Sequence, residues 1–328
     1  MAITPQSNAT LEQIADVLRK ADSVMIAGHV SPDGDCIGSQ LALACVLESM
    51  GKQVTCLLAN EGPIDPTLEY LPRADRMVPA SQELSVHEVF IAVDVPNQER
   101  MGLSARYHDA SPCTMTIDHH ANDKRISDYT YVDPDIAATA MIVWDLARML
   151  CDNVPCDVAT CCYAGLMTDT GGFRFQNSNR DAFLAASEMV AAGADPAEAA
   201  TQAYQNISLA SMKLEFLAVD HAVFVADGKG VVSWVAEDDM ARIGAKKSDL
   251  EPLVDTLRSI RGVKVACMLR EQDGVVRGSL RAKDSTDVSA IARRHNGGGH
   301  IAAAGFTEKL PMDAVVKELA SEIEAALS

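Results

Sequence analysis

Aromatic side chains are scarce. Phe, Trp and Tyr together make up 5% of the chain, too few for a long groove in which successive bases stack on rings. Basic residues are short as well: 28 Lys and Arg stand against 46 Asp and Glu, a net charge of −18. A chain this acidic is repelled by duplex DNA and by anionic lipid, so neither is expected as a partner. An anionic substrate stays admissible where cations or a few local arginines reverse the field in one cleft. No apolar run approaches the ~18 residues of a membrane span. Met1 to Thr10 is polar and lacks the basic patch and apolar stretch of a secretory signal. The nine cysteines contain no CxxC pair. Cys36, Cys45, Cys56, Cys113 and Cys267 lie in or beside apolar runs, so the thiols read as buried and free in a reducing cytoplasm.

What is present is a core. Hydrophobic residues at 48% and charged residues at 23% are globular values, which exclude disorder and a disulfide-stapled miniature. A length of 328 residues favours two domains. Leu11, Ile14, Ala15 and Leu18 repeat with helical period. SVMIA from Ser23, the stretch Gln53 to Leu58, VFIAV from Val89 and Thr114 to Ile117 read as short strands. Helices are expected over Ile37 to Met50, Ala137 to Leu150, Asp157 to Met167 and Ala182 to Ala192. Strands alternating with helices predict an α/β domain with a Rossmann-like parallel sheet over 1–192. An alanine-rich stretch, 193–217, reads as a helical linker. A smaller α+β domain over 218–328 follows, with hairpins at Ala222 to Val235 and at Val263 to Leu280, and a terminal helix over Pro311 to Leu327.

Acidic and histidine residues cluster where the predicted elements of the first domain end. His29, Asp33 and Asp35 lie in HVSPDGD after the first strand, Asp94 ends VFIAVD, and Asp118, His119 and His120 end TMTIDHH. Asp169, in GLMTDTGGF, follows a helix. In an open parallel sheet the strand C-termini emerge along one edge, so side chains far apart in sequence can converge there. Several carboxylates in one crevice repel one another, and divalent cations are the simplest remedy. Carboxylate and imidazole without thiolate suit Mn²⁺ better than structural zinc. Two such ions about 3.5–4 Å apart would clamp a water for in-line attack on phosphorus.

These four motifs, in this order, resemble those of the DHH phosphoesterase superfamily. The resemblance implies one metal on His29, Asp33 and Asp94, and a second on Asp35, Asp94, His119 and Asp169, with Asp94 bridging. It makes Asp118 a partner that orients an imidazole, and it sets His120 facing the scissile phosphate. In the second half, GSLRAKDSTDVSAIARRHNGGGHIAAAGF resembles the DHH-associated C-terminal domain. There Gly297, Gly298, Gly299 and His300 would bind the nucleotide substrate, with Arg281 as a phosphate clamp. Ala282 and Asn296 depart from that pattern, standing where the family commonly has Ser and Gly. Arg174, in the GGFRF run after Asp169, is a further candidate contact.

The short two-domain arrangement is most similar to the bacterial nanoRNase/pAp phosphatases. That likeness implies a cytoplasmic, Mn²⁺-dependent enzyme converting short oligoribonucleotides (nanoRNA) to mononucleotides and 3′-phosphoadenosine 5′-phosphate (pAp) to AMP and phosphate. Hydrolysis of cyclic di-AMP or linear pApA is the alternative, and assembly as a homodimer stays open. His87, His108 and His221 lie away from every cluster and read as satisfied polar residues. Met141, Met149 and Met189 read as core.

Overall fold

The computed structural model describes residues 6–82, 84–121, 124–250 and 253–328. It divides into two units, Met1–Asn206 and Ile207–Ser328.

In the first unit, six strands form one sheet: β1 (Ser23–Ala27), β2 (Gln53–Leu58), β3 (Val78–Pro79), β4 (Val89–Val93), β5 (Cys113–Asp118) and β6 (Tyr129–Val132). Their spatial order is β3-β2-β1-β4-β5-β6, and every pairing is parallel. The chain runs outward from β1 in one direction, then returns to its other side at β4. This reversal leaves a crevice at the carboxyl ends of β1 and β4, the switch point of a doubly wound sheet. Both faces are covered. Val24, Ile26 and Ile91 pack toward α1 (Leu11–Lys20), α2 (Gly34–Ser49), α4 (Thr139–Leu150) and α5 (Cys156–Asp169). Met25, Ala27, Phe90 and Ala92 face the other way, with Tyr107 of α3 (Ala105–Ala110). Burial on both faces explains why these strands read as unbroken apolar runs.

Two helix boundaries differ from the sequence expectation, and both bear on the cluster. The helix expected from Ile37 starts at Gly34, because Asp33 caps it, accepting from the Cys36 amide at 3.0 Å. Asp35 therefore lies in the first helical turn. The helix expected to end at Met167 continues to Asp169. α2 and α5 cross very closely: a Cβ on Gly38 would sit 2.5 Å from the Cys161 carbonyl oxygen, and one on Gly165 would sit 3.2 Å from Asp35 Cα.

The alanine-rich stretch is divided between the units. α7 (Pro196–Gln205) joins the first core through Ala199, beside α6 (Arg180–Ala191), which precedes the stretch and packs Ala182, Ala186 and Met189 there. α8 (Leu209–Asp220) packs Leu214 and Ala218 into the second.

The second unit holds β7 (Val223–Val225), β8 (Gly230–Val235), α9 (Glu237–Ile243), α10 (Leu253–Ser259), β9 (Val265–Gln272), β10 (Val275–Ala282), α11 (Val288–Arg294), β11 (Gly298–His300), β12 (Ala303–Glu308) and α12 (Met312–Leu327). Its sheet runs β11-β12-β10-β9-β8-β7, with β8 and β9 the parallel pair and the other pairs antiparallel. Val315, Leu319 and Ile323 make one buried stripe of α12. Strand β12, AAGFTE, escapes the sequence reading because Ala and Gly are weak strand formers. It is held by a six-residue register with β10, from Val276↔Glu308 to Arg281↔Ala303.

His87, His108 and His221 are hydrogen-bonded to Thr55, Ser127 and the Trp234 carbonyl. All nine cysteines are free thiols, although Cys113 is only half-buried and Cys156 is exposed.

The α2–α5 crossing yields a stability prediction. Gly38→Ala should lower the stability of the first unit by about 1–3 kcal/mol through overpacking. Gly62→Ala, which meets nothing within 4 Å, should be close to neutral. Urea unfolding of both variants measures the difference, and equal midpoints would refute the steric account.

Candidate metal centre

His29 follows β1 after a single residue, Gly28. Its Nδ1 lies 2.8 Å from the Val30 carbonyl oxygen, which holds a proton on that nitrogen. Nε2 is thereby left facing Asp94 at 3.3 Å and Asp33 at 3.8 Å. Asp94 itself comes straight after β4 with φ +59. A left-handed aspartate costs energy unless its surroundings hold it, and here Thr139 Oγ1 donates to its Oδ1 at 3.0 Å. From β5 and the loop after it, His119 brings Nε2 to 3.6 Å from Asp94 and 3.8 Å from Asp169. Three groups thus have donor atoms within 4.8 Å of one another: His29, Cys36 and Asp94; Asp94, His119 and His120; Asp35, His119 and Asp169.

Asp35 is wholly buried. Its carboxylate accepts from the amides of Thr139 and Ala140 at 2.7 and 2.8 Å and from Ser39 Oγ at 3.2 Å. Those amides are the first two of α4, whose N-cap residue is Ala138 and supplies no side-chain cap. Asp35 acts as the cap from another helix, matching its negative charge to the helix N-terminus.

Asp118 makes its contacts with His120: its Oδ1 accepts from the His120 amide at 3.0 Å and lies 2.9 Å from Nδ1. It therefore orients His120. His119 Nδ1 is 3.4 Å from the Ile136 carbonyl. The Nε2 of His120 has no partner among the described residues, and the side chain is one-third exposed.

The electrostatics display the crowding directly. Burial, then Asp94, Asp169 and Asp33, push the Asp35 carboxyl up, while its backbone hydrogen bond opposes them. Burial raises Asp169 to about 6, with Asp33 and Asp94 adding to it and His119 opposing. Burial would lift Asp94 too, yet hydrogen bonds from His120 and His29 carry it below the usual carboxylate range. The two imidazoles respond in the opposite sense. Burial disfavours their charge, but Asp33 and Asp94 lift His29 to about 10, and Asp118 and Asp94 lift His120 to about 11. In the protein alone, protons stand where cations would be. Cys36 is not a competitive ligand, since burial and the charges of Asp94 and Asp33 push its thiol well up.

The acidic and histidine residues of the four first-domain motifs thus converge: His29, Asp33, Asp35, Asp94, Asp118, His119, His120 and Asp169. Arg281 and the glycine segment belong to the second unit. Arg281 is half-buried on β10, donates to the Leu280 carbonyl, and has its pKa lowered by burial. Gly297 immediately precedes β11, where Gly298 and Gly299 pair with Gly305 and Ala304. The triple glycine is thus a tight edge strand: a Cβ on Gly297 would fall 2.2 Å from the Gly305 oxygen. Asn296, in place of a frequent glycine, keeps a positive φ of 56, which Asn tolerates. His300 lies in the same strand, with its side chain outside the described residues. Arg174 lies over the Tyr204 ring, 5.3 Å from its centroid.

Sequence reasoning missed Thr139, Arg100 and Asn177. Arg100 Nη2 lies 3.1 Å from His29 Nδ1. Asn177 Nδ2 ties the Asp169 carbonyl to that of Ala137, each at 3.1 Å. No local signal in the sequence pointed to any of the three.

A doubly wound sheet that gathers carboxylates and imidazoles at its switch point is the build of a phosphoester hydrolase that uses divalent cations. The chain belongs to the DHH family of phosphoesterases. Residues 23–166 match the DHH family N-terminal domain, and residues 227–328 match the DHHA1 domain. It is 30% identical to the bifunctional oligoribonuclease and PAP phosphatase NrnA of Thermus thermophilus, over 96% of this chain and 94% of that one. The crystal structure of an exopolyphosphatase-related protein from Bacteroides fragilis superposes with a TM-score of 0.90 at 26% identity, covering 97% of each chain. Exonuclease RecJ bound to manganese shares the fold, with a TM-score of 0.56 at 15% identity, over 100% of this chain and 96% of that one.

Two measurements probe this cluster. At pH 7 a divalent cation must displace the proton that His29 keeps up to about pH 10, and below about pH 6 that of Asp169 as well. Calorimetric titration of metal-free protein in buffers of different ionisation enthalpy should report at least about one proton released at pH 7, and more at pH 5.5. A heat that does not vary with buffer would contradict this. Thr139→Val, which removes the Asp94 hydrogen bond, should weaken metal affinity about 10–100-fold with the fold intact.

Proposed function

We propose that the chain is a Mn²⁺-dependent phosphoesterase that hydrolyses very short oligoribonucleotides to mononucleotides and pAp to AMP and phosphate. The observation carrying this reading is the complete DHH donor set at the switch point, in a chain that matches NrnA of T. thermophilus along nearly its whole length. The donors fit divalent cations: hard carboxylates and neutral imidazoles, crowded enough to be protonated when no cation is present. On this reading His29, Asp33 and Asp94 hold one ion, and Asp35, Asp94, His119 and Asp169 hold the other. Four ligating carboxylates against two divalent ions bring the net charge of the crevice to zero, so a phosphate can enter.

Once bound, the ions supply an activated water and neutralise charge on the reacting phosphate. The protein's own groups do the rest. Asp118 locks the His120 ring through Nδ1, and Nε2 presents a proton to a phosphate oxygen. The α4 N-terminus and Ser39 hold Asp35 in place, and Thr139 holds Asp94. In the second unit Arg281, with no carboxylate partner among the described residues, and the strand Gly298–His300 bind a further part of the nucleotide. The first unit carries the chemistry and the second the substrate. Among the described residues no helix is long and apolar enough to cross a membrane, and we place the enzyme in the cytoplasm.

Turnover with Mn²⁺ should be measured on pAp, pApA, RNA of two to ten nucleotides, cyclic di-AMP and pyrophosphate. Mononucleotides from the shortest RNAs and phosphate from pAp are expected, with activity abolished by EDTA and by Asp94→Asn. A marked preference for pApA or cyclic di-AMP would move the enzyme to dinucleotide turnover. No hydrolysis with metal bound would overturn the reading.

A further inference from the structure

Arginines are few in this acidic chain, and several in the first unit pair with carboxylates. Arg19 pairs with Asp16, Arg73 and Arg76 with Glu48, and Arg148 with Glu188. Arg100 does not. Among the described residues no carboxylate lies within 4.0 Å of its guanidinium, although Asp33 and Asp94 stand just across the His29 ring. The imidazole separates them, turning Nε2 to the carboxylates and Nδ1 to Arg100. The side chain is exposed, but its backbone is anchored. The Arg100 amide donates to Asn97 Oδ1 at 3.0 Å, and its carbonyl accepts from the Val30 amide at 2.8 Å. Gly102 fastens the same loop, where a Cβ would fall 2.6 Å from Val30 Cγ1.

Hydrogen-bond accounting at His29 Nδ1 gives this placement its meaning. Two groups compete for that nitrogen: the Val30 carbonyl at 2.8 Å, which needs a proton on it, and Arg100 Nη2 at 3.1 Å, which needs a lone pair. A neutral ring satisfies only one of them. When Nε2 gives its lone pair to a cation the proton must sit on Nδ1, and the Val30 carbonyl takes it. Arg100 then has no acceptor at His29, and its planar fork is left beside the cation site without a side-chain partner among the described residues. A guanidinium in that position matches the oxygens of a phosphate.

We propose that Arg100 is a substrate-binding residue of the catalytic unit, its guanidinium taking a non-bridging phosphate oxygen of the nucleotide beside the metal site. The class of ligand rests on the phosphoesterase reading above, whereas the absence of a carboxylate partner for Arg100 among the described residues does not. Arg100 also supplies the acidic first unit with a local positive charge that survives changes in metal load.

The test uses the full chain loaded with Mn²⁺ and inorganic phosphate as the probe. Calorimetry should show Arg100→Ala weakening phosphate binding at least about tenfold, with Arg100→Lys recovering part of the loss because charge returns without the fork. Manganese content by elemental analysis should equal that of the unaltered protein in both variants. Should Arg100→Ala fail to fold by circular dichroism, Arg100→Gln replaces it with the same expectation. Unchanged phosphate affinity overturns the proposal. Lost manganese overturns it too, by making Arg100 a prop for His29. With pAp, KM should rise more than kcat falls. If the unaltered protein hydrolyses no nucleotide yet binds phosphate in an Arg100-dependent way, the proposed function falls and this inference stands.

Discussion

Carboxylates brought together in a buried crevice repel one another, and most of the first unit is arranged around containing that repulsion. Asp35 and Asp94 are almost completely buried, and Asp33 and Asp169 stand close to them. Without cations the protein answers with protons on His29 and His120 and with the positive end of α4 directed at Asp35. On the proposed reading, two divalent cations would turn the same side chains into a neutral cradle for phosphate. The mutual repulsion of these carboxylates is what divalent ions would relieve.

The scaffold supplies the proximity. Parallel strands β1, β4 and β5 are neighbours and end at one edge, so His29, Asp94 and Asp118 emerge side by side. Glycines at 38 and 165 let α2 and α5 approach until their backbones nearly touch, and this brings Asp169 toward Asp35. The close crossing therefore serves packing and chemistry together. A bulkier residue there would disturb both.

The second unit is built on another principle. Its substrate-binding candidates sit on or beside strands of a mixed sheet, and neighbouring backbone leaves no room for a side chain at Gly297 or Gly299 of the glycine segment. Rigid glycine strands expose amide groups without the entropy of a flexible loop, which suits recognition of a phosphate.

The α/β class and the eight acidic and histidine residues that converge in the first unit were legible in the sequence, because each is a local signal. Apolar runs mark the strands, and an acid or histidine right after a run marks a strand end. Asp33 and Asp35 were recognisable although the reading began their helix three residues late. Strand β12 was not legible, since its residues become a strand only when β10 is there to pair with them. Thr139, Arg100 and Asn177 were not legible either. Nothing in the local sequence distinguishes a threonine that supports Asp94, an arginine held off its carboxylates by a histidine ring, or an asparagine bridging two carbonyls. Sequence by itself determined which groups could carry the chemistry. The tertiary structure alone decided which groups position them, because that role depends on hydrogen-bond partners 40 to 105 residues distant in the chain, and such pairings exist only once the sheet and the helix crossing have formed.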